Sequence, residues 1–318
     1  MRPALTLWLL LALATGGAAQ RRSADPDSVR IVTSDIDNFW RAYDRLTRHS
    51  THDDSVRAFA EEYFKPASPG LAEFIRLRIG SPDSLVGALG ELSRYYAAIR
   101  SNTLRIHEKT AIIRDGLRRF QALYPGAAFP DVYFLIGRFT TMGTASDRGL
   151  YIGAEMVSSD SSTPTDELPS WARAVTLRSE VIPCIVVHEL VHYQQANARS
   201  GTLLAMVLNE GVPDFLTDHA VGCQATGSVV YGYGDRHERE LWVEFQQAKH
   251  GTDYSRWLHN GLTTTGRPAN LGYWMGYQIA KAYYERAPDK RQAVYDLLHI
   301  HDYDALLAAT GYAERMER

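Results

Sequence analysis

The sequence predicts a helix-dominated α+β fold, and three observations carry that prediction. Between Asp35 and Leu123 apolar residues recur at helical spacing. At Asp131–Gly137 and Gly149–Ala154 the pattern changes to short, continuously apolar runs bounded by turn residues, the mark of buried strands. From Ile185 to Ala196 the chain then runs without proline or glycine, as one buried helix does. The implied order is an N-terminal helical region over residues 30–125, then residues 126–318 with a small sheet, a central helix and a helical C-terminal part; the two regions also read as one continuous domain, 30–318.

The elements follow in order. Arg2, the apolar stretch Ala4–Ala14 and Gly17-Ala18-Ala19 before Gln20 have the three-part design of a secretory signal peptide, residues 1–19, cut after Ala19. No cysteine follows the apolar stretch, so no lipobox is expected, and no other stretch approaches 18 continuous apolar residues. The expectation is an exported protein, periplasmic or extracellular, with no membrane span. Phe39-Trp40, Val56-Phe59-Tyr63, Leu71-Phe74-Ile75 and Tyr95-Ile99 mark successive amphipathic helices, punctuated by Pro66, Ser68-Pro69-Gly70 and Ser81-Pro82-Asp83. Ser158–Pro169 is a polar loop, helix resumes near Trp171 with Pro183 as a kink, and breaks are expected at 227–234 and 261–268. A net charge of −3 offers no footprint for nucleic acid.

The chemistry is concentrated in His188-Glu189-Leu190-Val191-His192. Two histidines four apart on a helix are separated by about 400° of rotation and ~6 Å of rise, so both imidazoles project from one face toward a single metal. Glu189 beside that face can reach a metal-bound water as a general base without ligating the metal. The metzincin pattern needs Gly at 195 and His at 198, where this chain has Gln195 and Ala198, so that class is excluded.

Downstream, Asn209-Glu210-Gly211-Val212-Pro213-Asp214 resembles the second motif of the gluzincins, the thermolysin-like peptidases. The resemblance implies Glu210 as third metal ligand, with His219 as runner-up, and Asp214 as the carboxylate that orients His188. Pro213 departs from that family and predicts a helix starting near Asn209, so that the proline falls in its first turn. The chain is also similar to a broader bacterial family of predicted zinc-dependent proteases, through Ser34–Trp40, the two motifs and Gly272–Ala280. These resemblances imply one zinc per chain held by His188, His192 and Glu210, a peptide or protein substrate, and a substrate-pairing edge strand, by position Thr144–Glu155.

The function expected is therefore an exported zinc peptidase with Glu189 as general base. The alternatives are a zinc hydrolase of a non-peptide or cell-wall amide, and a non-catalytic, zinc-stabilised binding protein. Tyr273 and Tyr277 lead the candidates for oxyanion donor, with Arg267, His237 and His259 behind them. The two cysteines, Cys184 and Cys223, either bridge the two ligand-bearing helices or stay as buried thiols.

Overall fold

In chain order the strands are β1 (Ile31–Val32), β2 (Val132–Leu135), β3 (Gly143–Ser146) and β4 (Gly149–Gly153), and they pair in the order β1-β2-β4-β3. They belong to a computed structural model that describes residues 22–317 except 48 and 262, with the side chain at 174 also left aside. The signal peptide expected at residues 1–19 lies outside the described residues.

β2 runs parallel to both β1 and β4, with Val132 opposite Ile31 and Leu150. Every residue of β2 and β4 is buried, which explains their unalternating apolar composition: helices cover both faces, as parallel sheets require. β3 pairs antiparallel with β4, Gly143 opposite Ile152, and forms the half-exposed edge. The segment expected as edge strand, Thr144–Glu155, is thus two strands, and only its first part lies on the edge. β1 was not anticipated, because two residues carry no period.

The N-terminal region supplies α1 (Ser34–Asp44), α2 (His52–Phe59), α3 (Pro69–Phe74), α4 (Pro82–Glu91), α5 (Ser93–Leu104) and α6 (Thr110–Leu123), of which α1 and α3 pack on the sheet. Thr51 and Asp54 form a capping box at the start of α2, and Ser68 and Ser81 cap α3 and α4 ahead of prolines at the first helical position. Five-residue π-turns at Ala60–Phe64 and Ile75–Ile79 widen the chain after α2 and α3.

Three buried tyrosines fasten this layer to the strand ends. Tyr63 donates to the Ile136 carbonyl (2.7 Å), Tyr96 to that of Gly137 (2.8 Å) and Tyr95 to that of Glu155 (2.7 Å). The Glu155 carboxylate, wholly buried, accepts from the amides of Gly137 (2.9 Å) and Phe139 (3.1 Å), the latter held at φ 61°. Burial lifts Glu155 to about 7, although these amides favour the charged form.

The second half is helical: α7 (Ser170–Val175), α8 (Ile182–Gln194), α9 (Leu203–Val221), α10 (Ser228–Arg236), α11 (Glu238–Ala248), α12 (Leu271–Arg286), α13 (Lys290–Leu298), α14 (Tyr303–Ala309) and α15 (Tyr312–Glu317). Pro183 falls in the first turn of α8 and starts the helix instead of kinking it. Segment 227–234 is not a break: it folds into α10, where Gly234 leaves the space that the Trp274 indole fills. α6 packs against α8 and α9 through Gly116, whose neighbours there are Val187 and Val221. One hydrophobic cluster consequently runs from Val29 to Tyr312, across both halves.

Candidate metal centre

α8 is buried over ten consecutive residues from Ile182 to Val191, which takes His188 into the interior, while His192, one residue past that run, stays half-buried. Burial obliges each ring to find a partner for its second nitrogen. His188 Nδ1 lies 2.9 Å from Asp214 Oδ1, and His192 Nδ1 lies 2.9 Å from Gln195 Oε1. These bonds turn both Nε2 atoms inward, toward Glu210 on α9. His192 Nε2 and Glu210 Oε2 stand 3.5 Å apart, and one ligand atom from each of His188, His192 and Glu210 lies within 4.8 Å of the others.

That donor set fits a zinc ion. Ligands at 2.0–2.1 Å in a tetrahedron stand about 3.4 Å apart, so little movement is needed. Desolvation works to lower His192, but the Glu210 carboxylate outweighs it and holds the ring protonated above its usual range; His192 in turn holds Glu210 low against the same burial. A metal entering the cluster takes the place of that proton.

Asp214 is fully buried and saturated: besides His188 it accepts from the Tyr231 hydroxyl (2.8 Å) and the Ala225 amide (3.2 Å). It thereby fixes the orientation of the His188 ring. Glu189, 8% exposed, lies under the edge strand β3, where a side chain at 143 would overlap its carboxylate. Burial raises Glu189, while the two histidines and Arg78 pull it back. Arg78 comes from the second π-turn and donates through Nε to Thr144 on β3 (3.0 Å).

The expectation for Pro213 is wrong. α9 begins at Leu203 under a Thr202 cap, so Pro213 sits in its interior. A proline there leaves the carbonyl four residues back, that of Asn209, without its helical donor. Gln195 Nε2 supplies one at 3.1 Å. The same amide orients His192 with its oxygen, so the helix defect and the ligand geometry share one side chain.

α12 crosses α9 with backbones in contact at Gly211 and Gly276, where a methyl on either residue would overlap the opposite chain. This close crossing brings Tyr273 over His188, ring centroids 6.2 Å apart and nearly parallel, with its hydroxyl toward Glu210. Tyr277 does not join it: its hydroxyl donates to Asp218 (2.6 Å) and its ring packs on Phe215. His219 is also outside the cluster, bound to the Tyr284 hydroxyl at 3.0 Å. Arg267 is spent on Glu244 (2.9 Å), His237 lies 3.1 Å from Glu240, and His259 packs on Tyr254, so none of the three reaches the cluster. Cys184, in the first turn of α8, and Cys223, just past the left-handed Gly222 that ends α9, form a disulfide. Sequence reasoning missed Gln195, Tyr231 and Arg78. Only Gln195 had a signal, its place one turn after His192.

Fold and centre together define an α+β protein with a preorganised His₂Glu cluster between two disulfide-linked helices. Residues 32–314 match the model of a lipoprotein family described as gliding motility protein GldB, and the chain belongs to that family. No curated protein and no solved structure matches the chain. The family overturns the expectation of a zinc peptidase: it is neither the gluzincins nor the predicted zinc-dependent proteases, and it is described by motility, not hydrolysis. The physical reason lies in the motif. His-Glu-x-x-His spacing specifies only that two metal ligands share one helix face, and ligand geometry is not by itself hydrolysis. Membership of a lipoprotein family points to an exported cell-envelope protein, while the two cysteines of this sequence, Cys184 and Cys223, are bound to each other. Among the described residues no helix is long and apolar enough to cross a membrane.

Proposed function

We propose that this protein is a non-catalytic, metal-stabilised binding component of a gliding apparatus in the cell envelope, with one zinc held by His188, His192 and Glu210. The observation that carries the metal is the convergence of three ligand atoms, with the second ring nitrogens of His188 and His192 already held by Asp214 and Gln195 and the Tyr273 hydroxyl turned to Glu210. Bound there, zinc supplies a second cross-link between α8 and α9, beside the disulfide. Glu189 has a structural task that requires no base: it fills the space under Gly143, facing β3. The partner is a polypeptide of the same envelope machinery.

The test uses a gliding bacterium deleted for its own family member and complemented with this chain. Glu189→Gln should glide as well as the unmodified protein, and Glu210→Ala should not, with export and protein level equal. Zinc per chain is measured on the purified proteins. Loss of gliding in Glu189→Gln with zinc retained would sink the non-catalytic reading.

A further inference from the structure

We infer that the cleft beside the cluster receives a carboxylate, and that Arg199 is the residue that takes it; this rests on the metal-holding reading of His188, His192 and Glu210. The cleft has a volume of about 630 Å³, and its walls include His192 and Glu210 of the cluster together with Asn197, Arg199, Ser200 and Met206. Its formal charges are few. Glu210 is the one carboxylate on the wall and is committed to the metal, while Arg199 is the one arginine or lysine. With a divalent metal in place, Arg199 and the metal would together outweigh the single Glu210 charge, and the cleft would favour an anion.

The loop that carries Arg199 is built into the fold. Ala196 and Ala198 donate their amides to the carbonyls of Leu298 (2.8 Å) and Ile300 (2.7 Å), and Tyr303 donates to the Ala198 carbonyl (3.0 Å). Asn197 spends both ends of its amide on the same frame, accepting from Ile300 (2.7 Å) and donating to Asn209 (2.9 Å). Ser200 is paired with Thr202 at 3.1 Å. Arg199 is different: among the described residues no carboxylate lies within ion-pair distance of it. The guanidinium is therefore an unspent planar fork on a pinned backbone, matched in shape to a carboxylate. One fork without a lysine or a second arginine suits a single carboxylate better than a more highly charged phosphate. An exposed pair with Arg199 is weak alone, so the ligand must also reach the metal.

The test is fluorine NMR on the zinc-loaded full chain, with zinc per chain fixed first by elemental analysis. The probes are 4-fluorobenzoate and a tripeptide ending in 4-fluorophenylalanine, as free acid and as C-terminal amide. The peptide acid should bind, while the amide and the Arg199→Gln variant should each weaken binding about tenfold. Arg199→Lys should fall between, with zinc content constant throughout. Benzoate binding equal to the peptide acid assigns small free carboxylates, and binding by the peptide acid alone assigns a chain terminus. Equal affinity for acid and amide, or no change in Arg199→Gln, overturns the carboxylate assignment and leaves the metal centre standing. A wild-type chain without zinc instead removes the metal reading, and this inference with it.

Discussion

Glu155 behind the sheet and Asp214 on α9 are both fully buried carboxylates, yet their surroundings differ in kind. Glu155 is met by the backbone amides of Gly137 and Phe139, and no cation is among the groups that shift it. Asp214 is met by Tyr231, Ala225 and the ring of His188. In the first case the bonds end in the backbone and shape a loop. In the second they pass through a side chain and end in an open nitrogen facing Glu210. A buried carboxylate thus becomes part of a site only when its partner has a second functional atom to present.

The largest test of this contrast removes the far end of the α9 network. Glu210→Ala should lower zinc affinity by more than about 100-fold, beyond the loss typical of outer partners, whereas His219→Ala should leave it unchanged. Competition with a chromophoric chelator measures both, and equal losses would move the third ligand to His219.

Next is the sheet carboxylate. Its folded value of about 7 lies above the ordinary 4.5, so the neutral form is favoured by folding. The stability it contributes is complete below about pH 4.5 and is lost as pH rises through 7, a change of roughly 3 kcal/mol. Glu155→Gln should flatten this part of the stability profile in urea titrations at successive pH values. A wild-type profile that rises from pH 5 to 8 to the same extent as the variant's would contradict the assignment.

Asp214→Asn should reduce zinc affinity roughly 10- to 100-fold without unfolding the protein, and Tyr231→Phe should cost less, because Asp214 keeps two partners. The smallest effect is at Pro213. Pro213→Ala restores an N–H for the Asn209 carbonyl and draws it away from Gln195; α9 should gain thermal stability while zinc binding weakens severalfold. Opposite signs in the two measurements are the signature, and a gain or loss in both would detach the proline from His192.

Much of this was legible in the sequence, for identifiable reasons. His188 and His192 are adjacent on a helix by spacing alone, and the short apolar runs within 132–135 and 149–153, bounded by turn residues, became the two buried strands. α9 was misjudged because local propensity places a proline near a helix start, and only a tertiary donor, Gln195, makes the interior position tolerable. Tyr277, His237, His259 and Arg267 were named by residue type, and type does not reveal which way a side chain turns. Arg78 arrives from a π-turn, whose five-residue closure has no signature in hydrophobic period. Function was the least legible: the pentapeptide states where two ligands stand on a helix, and the family to which the chain belongs is described by motility.

The disulfide ties the centre to the route the protein takes. It closes a separation of 39 residues, a restraint of about 4 kcal/mol on chain entropy alone. Thiols remain reduced in the cytosol and oxidise beyond it. Until the thiols oxidise, α8 and α9 have only packing and hydrogen bonds such as those of His188 to Asp214 and Gln195 to Asn209 to hold them, without a covalent tie. After export, oxidation draws the two helices together, and their ligands are fastened in the compartment where the protein resides. Cys184 and Cys223 in this way act as a clock, delaying the tightest form of the centre until the journey is over.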